Sequence, residues 1–176
     1  MTTEQDRTLD AVKTAIQMEI DGKEFYLKSS RESRNELGKE LFKSLAAEED
    51  IHRQKFVEVY EALRSENNWP VIILQPEAGK GLRTLFSRAA EELGSSIKAA
   101  ATELDAIQTA MNMENKSYDF YKSREEKASY EIEKSFYQSI AAQESRHYLI
   151  LLDYYEYLKD PAEWFVKKEH PSLDGG

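Results

Sequence analysis

Apolar positions recur at steps of three and four through four long stretches of this chain. In the first, Leu9, Val12, Ile16, Glu19, Lys23 and Tyr26 follow one another at steps of 3, 4, 3, 4 and 3, with Ala15, Met18, Gly22 and Phe25 in the neighbouring row. That period matches one face of an α-helix. It predicts a helix from about Glu4 to the polar Ser29–Arg34 region, which reads as a turn or frayed end together with Asn35. A second helix is predicted over about Glu36–Asn67, on the stripe Leu37, Leu41, Leu45, Glu49, His52, Phe56, Val59 and Leu63. The third begins near Thr102, its expected N-cap, and carries Leu104, Ile107, Met111, Glu114, Tyr118 and Tyr121 before a polar turn at Ser123–Ser129. The fourth carries Ile132, Phe136, Ile140, Glu144, His147, Leu151, Tyr154 and Leu158. Between the second and third, Asn67-Asn68-Trp69-Pro70 stops the helix. Val71–Leu74 is then a short apolar run with no partner strand, and Leu82 to about Lys98 is a further helix with Leu82, Leu85, Phe86, Ala89 and Leu93 apolar. The end, from Pro161 to Gly176, reads as a short tail anchored by Trp164 and Phe165.

The fourth stripe repeats the second. Glu49 and His52 return as Glu144 and His147, both at an offset of 95, and the same offset carries Met18-Glu19 to Met113-Glu114 and Phe25-Tyr26 to Phe120-Tyr121. Ala46-Ala47, Tyr60 and Trp69 likewise return as Ala141-Ala142, Tyr155 and Trp164. A helical hairpin has been duplicated. The expected organisation is a single domain over residues 1–176, with repeat halves at about 5–67 and 102–162. The crossover, 68–101, is long enough to return the chain along the bundle.

The chain has 176 residues, of which 40% are apolar or aromatic and 32% charged. That balance suits long amphipathic helices. With 33 acidic against 24 basic residues the net charge is −9, which argues against nucleic acid as a partner because phosphates need a basic footprint. There is no cysteine, so disulfides, thiolate zinc sites and cysteine-ligated iron–sulfur centres are excluded from this sequence. The opening residues lack the basic and apolar regions of a secretion signal. Apolar runs such as Val71–Leu74 and Leu149–Leu152 are too short to span a bilayer. A cytoplasmic protein with no membrane partner is expected.

Six polar residues interrupt these stripes where core residues belong: Glu19, Glu49, His52, Glu114, Glu144 and His147. A lone Glu on such a stripe is ordinarily a boundary residue reaching for water, and a lone His a satisfied core side chain. Four glutamates and two histidines at mid-helix, in four helices, are a different matter. Each buried carboxylate left unpaired costs several kcal/mol. Two divalent cations would balance the four negative charges, and oxygen and imidazole ligands without thiolate suit iron or manganese, with zinc an alternative. Glu48, rotated about 100° from Glu49 on the helix, is expected near the surface or just behind the ligands.

One Glu on helices one and three and Glu-x-x-His on helices two and four is the ligand pattern of ferritin-like di-iron and di-manganese proteins. Within them the chain resembles the rubrerythrin family. Met18-Glu19-x5-Phe25-Tyr26, Met113-Glu114-x5-Phe120-Tyr121 and the tail Trp164-Phe165-Val166-Lys167-Lys168-Glu169-His170 carry the likeness over nearly the whole chain. The resemblance implies an all-α, ferritin-like, up-down-down-up four-helix bundle with an internal two-fold repeat, a crossover containing an extra helix, and a short C-terminal tail. It implies two iron ions held by Glu19, Glu49, His52, Glu114, Glu144 and His147. It further implies an oxidoreductase of the peroxidase type, reducing hydrogen peroxide or O₂ with electrons from an external donor protein, and a homodimer. Iron oxidation for storage or delivery, and a non-catalytic metal-stabilised bundle, are the alternatives. Tyr26 and Tyr121 either hydrogen-bond ligand carboxylates, as the resemblance suggests, or are ordinary core tyrosines. Two departures stand out. The sequence has no cysteines for the rubredoxin domain that many members carry. The further glutamate that many have three residues after the helix-three ligand is Ser117 here, with Gly22 its counterpart, so a redox-linked exchange of His for that Glu is not expected. His170, in the tail, is read as a surface residue.

Overall fold

The computed structural model describes residues 4–66, 68–74, 80–96 and 101–169, without the side chains of residues 80, 82–86, 96 and 169. The helices are α1 (Glu4–Glu32), α2 (Glu36–Glu66), α3 (Lys80–Leu93), α4 (Ala101–Lys127), α5 (Glu131–Lys159) and α6 (Pro161–Glu169), with a 3₁₀ turn at Gly94–Ser96. There is no strand among the described residues, and no helix there is long and apolar enough to cross a membrane. The architecture is a ferritin-like helical bundle.

Side-chain pairs fix the helix directions. Tyr26 reaches Glu114 while Tyr121 reaches Glu19, so α1 and α4 run antiparallel. His52 meets Gln143 while Glu48 faces His147, so α2 and α5 also run antiparallel. With each hairpin antiparallel within itself, the order is up, down, down, up. α3 lies against α2 and α5, and α6 against α5 and the 3₁₀ turn.

The buried residues form two apolar clusters. One holds Leu41, Phe42, Leu45, Ile107, Ala110, Leu151, Leu158 and Trp164. The other holds Val12, Ala15, Phe56, Leu63, Trp69, Phe136, Tyr137 and Ile140. Residues 95 apart fall in opposite clusters: Leu45 and Ile140, Phe56 and Leu151, Trp69 and Trp164. The repeat is thus a two-fold relation in space that exchanges the two ends of the bundle. The six interrupting polar residues occupy the layer between.

Several boundaries differ from the expectation. α1 ends at Glu32, inside the expected Ser29–Arg34 region, while α4 continues to Lys127, into the stretch expected as a turn, so the turns are Ser33–Asn35 and Ala128–Tyr130. Polar runs there keep helical form because charged neighbours pair along it, as Lys122 does with Glu125 at 2.5 Å. Thr102 stands inside the first turn of α4 rather than capping it. The expected helix at 82–98 begins earlier and ends at Leu93, where Gly94 turns the backbone left-handed at φ +64°. The apolar positions Leu82, Leu85 and Phe86 have side chains outside the described residues. Val71–Leu74 has no regular structure; Val71 and Ile73 face solvent while Ile72 and Leu74 pack on the core. The short tail, for which no helix was expected, forms α6 as far as Glu169, with Trp164 and Phe165 packed on the core. Asp160 accepts the Glu163 N–H at 2.9 Å, and Pro161 fills the first helical position, a capping pattern present in the sequence.

Asn35 caps α2 by accepting the Gly38 N–H at 2.7 Å. Gly38 is required there. A Cβ would stand 2.5 Å from both Glu103 Oε1 and the Tyr154 hydroxyl and would strike Ser33 Oγ as well. These atoms form one buried network, with Glu103 Oε1 accepting from Ser33, Asn35 and Tyr154. Gly38→Ala should therefore destabilise the protein by about 1–3 kcal/mol, against the ~1 kcal/mol gain that Ala ordinarily brings to a helix interior. Denaturant unfolding of the two proteins checks the sign.

Candidate metal centre

The stripes that carry the six residues meet at the middle of the bundle. Glu19 comes from α1, Glu49 and His52 from α2, Glu114 from α4, Glu144 and His147 from α5. All are buried, none more than 4% exposed. Glu and His three apart on one helix share a face, so each of α2 and α5 delivers a carboxylate and an imidazole to the same point.

The side chains sort into two overlapping groups able to hold a metal ion. Glu19, Glu49, His52 and Glu144 bring one ligand atom each within 4.8 Å of one another, as do Glu49, Glu114, Glu144 and His147. Glu49 and Glu144 belong to both, the arrangement of bridging carboxylates. His52 Nδ1 lies 3.1 Å from Glu144 and 3.4 Å from Glu19. His147 Nδ1 lies 3.1 Å from Glu49 and 3.6 Å from Glu114. The two imidazoles stack at 5.6 Å.

Each of the six residues turns inward one buried atom that has no hydrogen-bond partner: Glu19 Oε2, Glu49 Oε1, His52 Nδ1, Glu114 Oε2, Glu144 Oε1 and His147 Nδ1. Buried polar atoms in folded proteins are otherwise nearly always satisfied. What sets these six apart from other unpartnered buried atoms, such as Glu103 Oε2 and Arg146 Nε, is that they converge on two points, as a pair of cations would require. The donor set, carboxylate and imidazole without sulfur, fits iron, manganese or zinc.

Without cations, the charge is managed by protons. Burial, and then the neighbouring carboxylates, push Glu49 well above the usual carboxylate range and Glu144 to about 8. Burial depresses both histidines, but the carboxylates outweigh it and hold them well above the usual imidazole value. For Glu19 the balance reverses: burial raises it, and His52 with its other hydrogen-bond partners brings it below normal.

The residues around this layer are crossed between the repeats. Tyr26 and Tyr121 do hydrogen-bond ligand carboxylates, but each donates to the glutamate of the other hairpin, Tyr26 to Glu114 and Tyr121 to Glu19. Burial and those carboxylates raise both phenols well above their ordinary pKa. Glu48 stands behind His147, 3.7 Å from Nε2. Sequence reasoning missed Gln143, whose Oε1 lies 2.9 Å from His52 Nε2. The signal was available, since 143 is 48 plus the repeat offset. His170 lies outside the described residues.

Against the ligands is a cavity of about 20 Å³ lined by Met18, Gly22, Tyr26, Glu49, Met113, Glu114, Ser117 and Glu144. A Cβ on Gly22 would come within 3.2 Å of Glu49 Oε2. The two positions that lack the further glutamate therefore both border this space.

A family model described as rubrerythrin matches residues 10–155. Comparison with curated proteins and with solved structures returns no match.

The protonation pattern sets a pH dependence. In the metal-free protein Glu49, Glu144 and the histidines hold protons that the unfolded chain releases at lower pH. The folded state then binds more protons, and stability falls as pH rises from the ordinary 4.5 of a glutamate through the value near 8 at Glu144. Cations replace those protons and should flatten the profile. Melting temperatures of chelated protein are expected to drop between about pH 6 and pH 9, with a smaller drop after metal loading. Equal slopes would contradict this charge assignment.

Proposed function

The chain belongs to the rubrerythrin family, and from that premise we propose that it is a di-iron carboxylate protein that reduces hydrogen peroxide or O₂ with electrons from an external donor. A bound pair of iron ions would supply the electrons and the oxygen-binding positions of that reaction. The observation that carries the reading is the set of six inward-facing, unpartnered ligand atoms in two groups that share Glu49 and Glu144.

The chain's own residues have separable tasks. Glu19 and His52 would hold one ion, Glu114 and His147 the other, and Glu49 and Glu144 would span them. Tyr26 and Tyr121 tie down Glu114 and Glu19 through hydrogen bonds to one carboxylate oxygen, leaving the other oxygen aimed at the metal. The apolar clusters on both sides keep bulk water from the layer, which strengthens every charge interaction within it. Reduction of peroxide to two waters consumes two protons. The Tyr26 hydroxyl lines the cavity with its own proton committed to Glu114, so both protons are drawn from solvent.

The cavity's size bears on the substrate. A space of about 20 Å³ accommodates little more than one water-sized molecule. That space admits a small oxidant such as hydrogen peroxide or O₂ beside Glu49, Glu114 and Glu144.

The test is anaerobic reconstitution with ferrous iron, metal analysis, and rapid mixing with hydrogen peroxide while absorbance is followed. About two irons per chain and oxidation by one equivalent of peroxide per pair are expected, with turnover once a reductant is supplied. Slow reaction with peroxide but fast reaction with O₂, followed by release of ferric iron, would transfer the assignment to iron handling. Failure to bind metal after reconstitution would overturn it.

A further inference from the structure

The two-fold repeat pairs nearly every group at the centre with its own kind: Glu19 with Glu114, Glu49 with Glu144, His52 with His147, Tyr26 with Tyr121. The position behind the histidines breaks the rule. Residues 48 and 143 are equivalent, each immediately before a shared glutamate, yet one is Glu and the other Gln. Both side chains cross to the opposite hairpin. Gln143 Oε1 lies 2.9 Å from His52 Nε2, within hydrogen-bond reach, whereas Glu48 Oε2 lies 3.7 Å from His147 Nε2, an ion-pair distance at which that nitrogen has no hydrogen-bond partner.

In both histidines Nδ1 faces the ligand cluster and Nε2 faces outward. A group that attracts the outer N–H draws electron density toward the inner lone pair and makes the imidazole a stronger ligand. A carboxylate does this through its charge even beyond hydrogen-bond reach, whereas an amide oxygen, which carries no net charge, acts only through the hydrogen bond itself. The Glu48 side chain is 18% exposed, so solvent screens its charge only in part.

We propose that Glu48 and Gln143 are positioning residues that make the two metal positions unequal. The position at His147, backed by a carboxylate, binds a divalent cation more tightly and fills first. The position at His52, backed by an amide, fills second. The proposal rests on the metal-binding reading above and adds an order of filling that the ligands alone, being matched pairs, do not impose.

The test is titration of the metal-free protein with manganese(II), by calorimetry and by electron paramagnetic resonance, for the native chain and three variants. The native protein is expected to give two resolved binding steps, with the spectrum of an isolated ion dominant at the first equivalent. Glu48→Gln, which matches the two positions as amides, should weaken the tighter step by about 10–100-fold and leave the weaker one in place. Gln143→Glu should strengthen the weaker step by a comparable factor, a gain that a misfolded variant would not produce. The double exchange should restore the gap. Both single variants binding manganese with the native constants would overturn the proposal while leaving the metal site intact. Absence of manganese binding in the native protein would instead overturn the reading on which it rests.

Discussion

Four carboxylates share one dry layer, and the rest of the structure answers to that. Placed apart in an apolar core, each would cost several kcal/mol; placed together, they also repel. Something positive must enter the layer. In the absence of cations it is protons, which is why Glu49 and Glu144 are driven up while both histidines stay charged above their normal range. The divided core follows from the same constraint. Apolar clusters close the layer on either side, so the electrostatic problem cannot be relieved by water and must be solved within.

Neither hairpin solves it alone. α1 and α2 bring Glu19, Glu49 and His52, but completing the first group takes Glu144 from α5. The hydroxyl that steadies Glu19 belongs to α4, and the amide that orients His52 belongs to α5. The second group shows the same debts in reverse. Docking of the two hairpins and assembly of the centre are therefore one event. A duplicated unit gains from this arrangement because every cross-contact made once is made twice, and the antiparallel pairing of α1 with α4 and of α2 with α5 is what brings equivalent residues face to face.

The buried cluster of candidate ligands was legible in the sequence because its members violate a pattern that is otherwise kept. Glu19, Glu49, His52, Glu114, Glu144 and His147 stand where the period demands apolar residues, and the offset of 95 makes the violation systematic. The bundle order could be anticipated from the length of the crossover. What could not be read was which hairpin serves which. Tyr26 follows Glu19 by seven residues on the same face, a spacing that leaves open which carboxylate it meets; in the fold the hydroxyl passes to Glu114, because partners across a bundle are set by packing and not by spacing. Helix ends were misplaced where polar composition was taken for a turn, as at Ser123–Lys127. α6 was missed although Asp160, Pro161 and Glu163 spell out its start, since nine residues carry too little periodicity to announce a helix.

Where the repeat departs from itself, the two halves have taken different work. Leu45 and Ile140, or Phe56 and Leu151, differ only in the shape of an apolar filling. Tyr154 and Val59 differ in kind. Tyr154 joins Ser33 and Asn35 in donating to Glu103 Oε1 beside Gly38, a closure of one end of the bundle that the valine cannot reproduce at the other. Gly22 and Ser117 differ by a hydroxymethyl group, yet both are small, and both border the cavity beside Glu49 and Glu144. Had either carried a side chain as long as glutamate, the space would be filled from the α1–α4 side. Between the repeats, then, the ends differ in kind while the rim of the cavity keeps two small residues. That distribution follows from the central constraint. The ends need only be closed, by packing and hydrogen bonds, whereas the six buried polar side chains at the middle return in matched pairs beside a small cavity.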